Sequence, residues 1–139
     1  MANALIPAAQ ILFIRDEAEI LLIRRFNTGF ADGLYGLPAG HVEPGELPVA
    51  AAIREAMEEV GVTIAAEHLD IAHVTATPQR VSFFFRARQW IGEPENREPD
   101  KCDDIGWFAL DALPDNIVPY IGVAIARVRA GERYSERER

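Results

Sequence analysis

The chain has 139 residues, 49% hydrophobic and 26% charged, with a single cysteine and a formal charge of -8. That balance describes one folded domain with a core that needs no disulfide or structural zinc, and it argues against a disordered, collagenous or membrane-spanning chain. The acidic excess also argues against a protein that holds a nucleic-acid duplex by broad phosphate neutralisation, but a bound divalent cation would still allow a nucleotide ligand. With no basic leader and no apolar run of about 20 residues, a cytoplasmic protein without a membrane partner is expected.

In chain order, the apolar runs Ala9 to Ile14 and Ile20 to Ile23 flank the charged stretch Arg15 to Glu19 and read as a β-hairpin. Asn27 to Gly33 is rich in turn formers, and Leu34 to Pro38 reads as a short extended segment. Pro48 to Val60 fits a helix, with proline in the first turn and Gly61 where a left-handed cap is wanted; Leu47 stands at the N-cap without a capping side chain. The β-branched and aromatic runs Leu69 to Thr77 and Val81 to Trp90 suggest a second hairpin. A polar stretch, Ile91 to Asp104, precedes a short strand from Ile105 to Phe108, then a helix from Ile117 to Arg129 that ends at Gly131. The charged residues 134–139 have no apolar anchor, so fraying is expected there. The pattern is α+β, with helices beside a mixed or mostly antiparallel sheet, in a single domain over 1–139.

The chemistry concentrates between Gly40 and Val62. On a helical wheel Glu55, Glu58 and Glu59 fall within about 100° of one another, with Val49, Ile53, Ala56, Met57 and Val60 on the opposite side. The apolar stripe would pack on the sheet and turn the carboxylates outward. Like charges at these spacings repel, and Arg54 is the one base nearby, four residues before Glu58. Mg²⁺ or Mn²⁺ would neutralise such a group and keep positions open for phosphate. Helix charge spacing alone favours a solvated acidic face, since surface helices commonly carry three glutamates.

The wider spacing decides between these. Gly40, Glu46, Arg54, Glu55, Glu58, Glu59 and Gly61, with apolar Ala56 and Val62, match every fixed position of the Nudix box, G-x5-E-x7-R-E-U-x-E-E-x-G-U, where U is apolar. At about 7% usage per residue, seven such matches coincide by chance on the order of once in a hundred million positions. Leu37 to Gly40 resembles the family's lead-in to the box, with alanine at position 39 in place of glycine.

The resemblance to Nudix hydrolases implies an α/β/α sandwich, a mixed β-sheet packed between helices. It implies that Glu55, Glu58, Glu59 and the carbonyl of Ala39 bind Mg²⁺ or Mn²⁺, while Glu46 and Arg54 hold and orient the loop and the glutamates. The implied reaction is attack of water on phosphorus in a nucleoside diphosphate linked to another group. A MutT-like nucleoside triphosphate pyrophosphohydrolase fits best, with nucleotide-sugar or ADP-ribose pyrophosphatase as the alternative. Glu55 or Glu58 is the favoured proton acceptor, with Glu98, Asp103 and Asp104 as other candidates. Glu98 reads equally as a solvated loop acid. Arg25 stands at the spacing of a phosphate-contacting arginine, or is a surface strand-end residue. His41 reads as a neighbour of the site; Phe30, Tyr35, Trp107 and Phe108 read as core or pocket wall. A Nudix-fold isomerase using Cys102, or a nucleotide sensor, fits less well because the box is intact. A homodimer, frequent in the family, is left open by the sequence.

Overall fold

The computed structural model describes residues 4–138. β1 (Ile6–Arg15) and β2 (Glu19–Arg25) form the first hairpin, turning at Asp16 and Glu17, both at positive φ, with the Ala18 amide bonded to the Arg15 carbonyl at 3.0 Å. Positive φ at both central residues is the turn whose twist matches the flanking strands, and aspartate tolerates it better than most residues.

The two strands share only the pairs Ile14–Ile20 and Arg15–Glu19 before they part. Beyond the split, β1 pairs in parallel with β6 (Arg80–Ala87), and β2 pairs with β7 (Cys102–Ala109). The segment after the first loop crosses the opening. β3 (Tyr35–Gly36) joins β2, and β4 (Ala39–His41) joins β1, with Gln10 opposite Ala39 and Ala9 opposite Gly40. β5 (Leu69–Ala76) lies beyond β6 and is followed by β8 (Tyr134–Glu136), so the sheet is mixed, in the order β3-β2-β1-β6-β5-β8.

Side-chain alternation along β1 builds a core on each face. Ala9, Ile11 and Phe13 meet Ala52, Ala56 and Val60 of α1 (Pro48–Val60), while Leu12 and Ile14 share the opposite core with Ile121, Ala124 and Ile125 of α2 (Pro119–Arg129). The result is the expected sandwich. No helix among the described residues is long and apolar enough to cross a membrane.

Two expectations are corrected. Residues 134–136 are not frayed: β8 pairs with Val74, Thr75 and Ala76. Its anchor is polar, because the fully buried His73 places Nδ1 2.7 Å from the Glu132 carbonyl and Nε2 2.8 Å from the Ser135 hydroxyl. Arg139 lies outside the described residues. Met57 is not packed on the sheet either. It is exposed, and Ala51 and Ala52 are buried in α1 instead, because small residues let the helix sit close to β1.

Candidate active site

Helix α1 begins without a side-chain cap at Leu47 and ends at Gly61, whose φ of 72° is the left-handed cap expected of glycine. Its carboxylates do not all face outward. Glu58 is exposed, Glu55 and Glu59 are half-buried, and Glu59 reaches back to accept the Ala39 amide at 3.0 Å. Burial pushes the Glu59 carboxyl well above the usual carboxylate range, and the Glu55 charge beside it adds to the rise. Ala39 sits in strand β4 with ordinary backbone, so alanine serves there as well as glycine would.

Arg54 holds the group together. It donates to Glu46 from Nε at 2.9 Å and from Nη2 at 3.0 Å, to Glu55 at 2.7 Å, to Glu58 at 3.3 Å, and to the His41 carbonyl at 3.1 Å. Glu46 also accepts the Glu43 amide at 3.0 Å, so the 40–47 loop is closed onto the helix. Those bonds, the Arg54 guanidinium first, hold the Glu46 carboxyl down at about 2. Gly40 is needed for space: an added Cβ would fall on the Glu55 carboxyl group and stand 2.7 Å from its Cγ.

The carbonyls at the C-terminal end of α1 dock a second loop. Glu95 donates its amide to the Val60 carbonyl and Arg97 to that of Glu59, both at 3.0 Å. These are the groups a helix end leaves without partners, and here the loop satisfies them. Asn96 fixes the next turn, accepting the Glu98 amide at 3.0 Å and donating to the Cys102 carbonyl at 2.7 Å. Glu98 thereby faces the helix carboxylates, and burial followed by the Glu55 charge raises its pKa.

Glu55, Glu58, Glu59 and Glu98 line one cleft of about 520 Å³, together with Ala39, Gly40, Arg25, Arg54 and Lys101. Sequence reasoning missed Lys101, a cation in an acidic loop whose placement depends on the Asn96 turn. Arg25 reaches the cleft while donating to the Phe30 carbonyl at 2.7 Å and the Thr28 hydroxyl at 3.1 Å. Asp103 and Asp104 lie on β7 rather than in the loop and are committed elsewhere, Asp103 to Arg24 at 2.7 Å and Asp104 to the Tyr35 hydroxyl. His41 is exposed on the far side of β4 from the carboxylates, lining a neighbouring cavity. Trp107 stacks on Trp90 with Arg15 above it, Phe108 packs against Tyr35, and both belong to the cores. Cys102 is buried.

Among the described residues no three His, Cys, Asp or Glu groups close into a ligand set as placed. Arg54 stands between them, occupying oxygens of Glu55 and Glu58.

The NUDIX domain family model matches residues 4–128. The chain belongs to the Nudix hydrolase family. Among solved structures, MutT NUDIX hydrolase from Burkholderia pseudomallei matches with a TM-score of 0.80 at 30% identity, covering 91% of this chain and 99% of that one. A MutT protein from Methanosarcina mazei Go1 matches with a TM-score of 0.78 at 21% identity, a likeness of fold. NAD-capped RNA hydrolase NudC from Chromobacterium violaceum is 34% identical over 124 residues, 89% of this chain and 45% of its own length. RNA pyrophosphohydrolase from Agrobacterium fabrum is 29% identical over 141 residues, 82% of this chain and 83% of its own. The chain thus spans under half the length of that NudC relative.

Proposed function

We propose that the chain hydrolyses a phosphoric anhydride bond in a nucleoside diphosphate linked to a further group, as a MutT-like nucleoside triphosphate pyrophosphohydrolase does. The observation that carries this reading is the convergence of five carboxylates on one cleft, three from α1, Glu43 from the 40–47 loop and Glu98 from the 91–101 loop, with Arg54 paired to Glu43, Glu55 and Glu58. The names of the relatives favour a second reading of the same chemistry, in which the nucleotide is the 5′ end of an RNA.

The residues fit a divalent cation. Glu59 is pushed toward its neutral form by burial and by Glu55, which is the condition a hard cation relieves, and every donor in the set is an oxygen. Glu55, Glu58 and Glu59, with the Ala39 carbonyl, would hold Mg²⁺ or Mn²⁺, competing with Arg54 for Glu55 and Glu58. A cation there offsets phosphate charge and acidifies water.

The chain's own groups do the rest. Arg25 and Lys101 attract the phosphates into an otherwise acidic cleft. Glu98 lines the cleft outside the set that would hold the cation and takes no ion pair among the described residues, so it is the carboxylate placed to accept a proton as water adds to phosphorus and the anhydride P–O bond breaks. Glu58 is the second candidate for that role, and Glu46 and Arg54 position the others.

The test is product release from nucleoside triphosphates, nucleotide sugars, ADP-ribose, NAD and 5′-triphosphorylated oligoribonucleotides, with Mg²⁺ or Mn²⁺ and with EDTA. Metal-dependent turnover of one class, lowered about a hundredfold or more in Glu98→Gln and Glu58→Gln, is expected. A folded, cation-binding protein inert toward the whole panel would overturn the reading.

A further inference from the structure

Across β4 from the carboxylate cleft lies a second cavity of about 570 Å³, within the range of small-molecule sites. Its lining contains an amide where the sheet pattern asks for a hydrocarbon. On the face of β1 turned toward α2, alternation presents Ala8, Gln10, Leu12 and Ile14, and Leu12 and Ile14 pack with Ile121 and Ile125 of the helix. Gln10 is buried like them, only 4% exposed, yet its side-chain amide hydrogen-bonds no described residue. Its backbone is held between Ala39 of β4 and Phe84 of β6, which fixes the side chain where it lines the cavity. Leu37, Val118 and Ile121 supply apolar wall there, and the half-buried Tyr120 and exposed Phe30 add aromatic rings.

A buried amide without a partner destabilises a fold, and a leucine would complete the apolar stripe, so packing does not account for glutamine at position 10. A carboxamide offers a donor and an acceptor side by side, the complement of a ring edge that carries the same two groups in reverse. We infer that Gln10 is a specificity-determining residue: through both amide atoms it hydrogen-bonds a heteroaromatic ring that bears a donor beside an acceptor, as the Watson–Crick edge of adenine does. The apolar walls bury the faces of such a ring, and Tyr120 and Phe30 give it surface to stack on. Ring binding here does not rest on the proposed function. Two sources present the same edge, the base of the nucleotide hydrolysed in the carboxylate cleft and a separate nucleoside, and kinetics tell them apart.

The first test needs neither turnover nor metal. Adenosine and purine riboside, which lacks only the 6-amino group, are titrated into the protein in EDTA and followed by ligand-observed NMR. Adenosine is expected to bind about tenfold or more tightly, the scale of losing one side of a bidentate pair. Gln10→Leu should erase that ratio without lowering Tm, because the amide it removes holds no partner among the described residues. Gln10→Glu, in buffer alkaline enough to ionise the new carboxyl, offers two acceptors and should exchange adenosine for guanosine, whose N1–H and 2-amino group donate side by side. A packing role alone produces no such exchange. Equal binding of adenosine and purine riboside by the wild type, a preference that survives in Gln10→Leu, or a folded Gln10→Glu protein that still prefers adenosine overturns the assignment. The ratio of kcat/KM for ATP to that for purine riboside 5′-triphosphate then identifies the source. A ratio of about ten or more that falls to one in Gln10→Leu assigns the substrate's base to Gln10. A ratio of one, with the nucleoside preference intact, assigns the cavity to a separate nucleoside. Discrimination in EDTA without turnover of any triphosphate would leave the Gln10 assignment standing and refute the proposed function alone.

Discussion

Replacing Gly40 with alanine should separate stability from activity. Gly40 has no left-handed backbone, so alanine adds no strain; restricting the unfolded chain stabilises by about 0.4–1 kcal/mol. The new methyl falls on the Glu55 carboxyl, and the three atoms nearest to it all belong to that flexible side chain, so Glu55 swings aside without moving the sheet. That motion breaks its 2.7 Å bond to Arg54, which still holds Glu46; a half-buried ionic bond exchanged for water costs about 1 kcal/mol. The two effects oppose each other, and Tm should move by less than about 4 °C. Turnover should fall about a hundredfold, because a carboxylate displaced by an ångström or more is no longer placed for the reaction. Calorimetry and steady-state rates on the same preparation decide it. A loss of 10 °C, or wild-type turnover, would refute the account of why position 40 is glycine.

Gly61→Ala faces a different penalty, since φ of 72° costs an alanine about 1–2 kcal/mol and its methyl meets Arg97 Nε at 2.7 Å. Tm should drop by about 3–8 °C, and less for Gly61→Asn, as thermal melts would show. Because the folded-state pKa of Glu59 is raised, stability in metal-free buffer falls as pH climbs above about 4.5 toward that value. Glu59→Gln removes this slope and should be more stable by on the order of 1 kcal/mol at pH 7 without metal, while losing the stabilisation that Mg²⁺ gives the wild type. Melts across pH with and without Mg²⁺ check both parts. Ser135→Ala leaves His73 Nε2 without its partner and should cost about 1 kcal/mol, with limited proteolysis appearing first after Gly131.

The parts of the fold that local chemistry dictates were readable in the sequence. Pro48 and Gly61 mark the ends of α1, and the apolar runs on either side of residues 15–19 and 78–80 mark the hairpins, because caps, turns and alternation act over a few residues. The box likewise placed Glu46, Arg54, Glu55, Glu58 and Glu59 together. What depends on distant partners was not readable. β8 owes its existence to His73, some 60 residues away, and three alternating residues in a charged tail give no signal of that. Asp103 and Asp104 share the composition of a loop, yet pairing with β2 makes them strand and gives them to Arg24 and Tyr35. Glu98 could be singled out only by resemblance, since docking of its loop runs through backbone carbonyls of α1 that any sequence would present.

The parallel pairing of β8 with β5 also sets an order of assembly. A growing chain that has reached Gly131 already contains both helices, the split hairpin and every carboxylate of the cleft, but not β8. Closing that last pairing joins segments about 60 residues apart across three short rungs, so the β8 edge forms late and opens most readily. Amides of residues 134–137 should exchange with deuterium well before those of β1, which makes the β8 edge the soft side of the sheet while the carboxylate cleft stays closed.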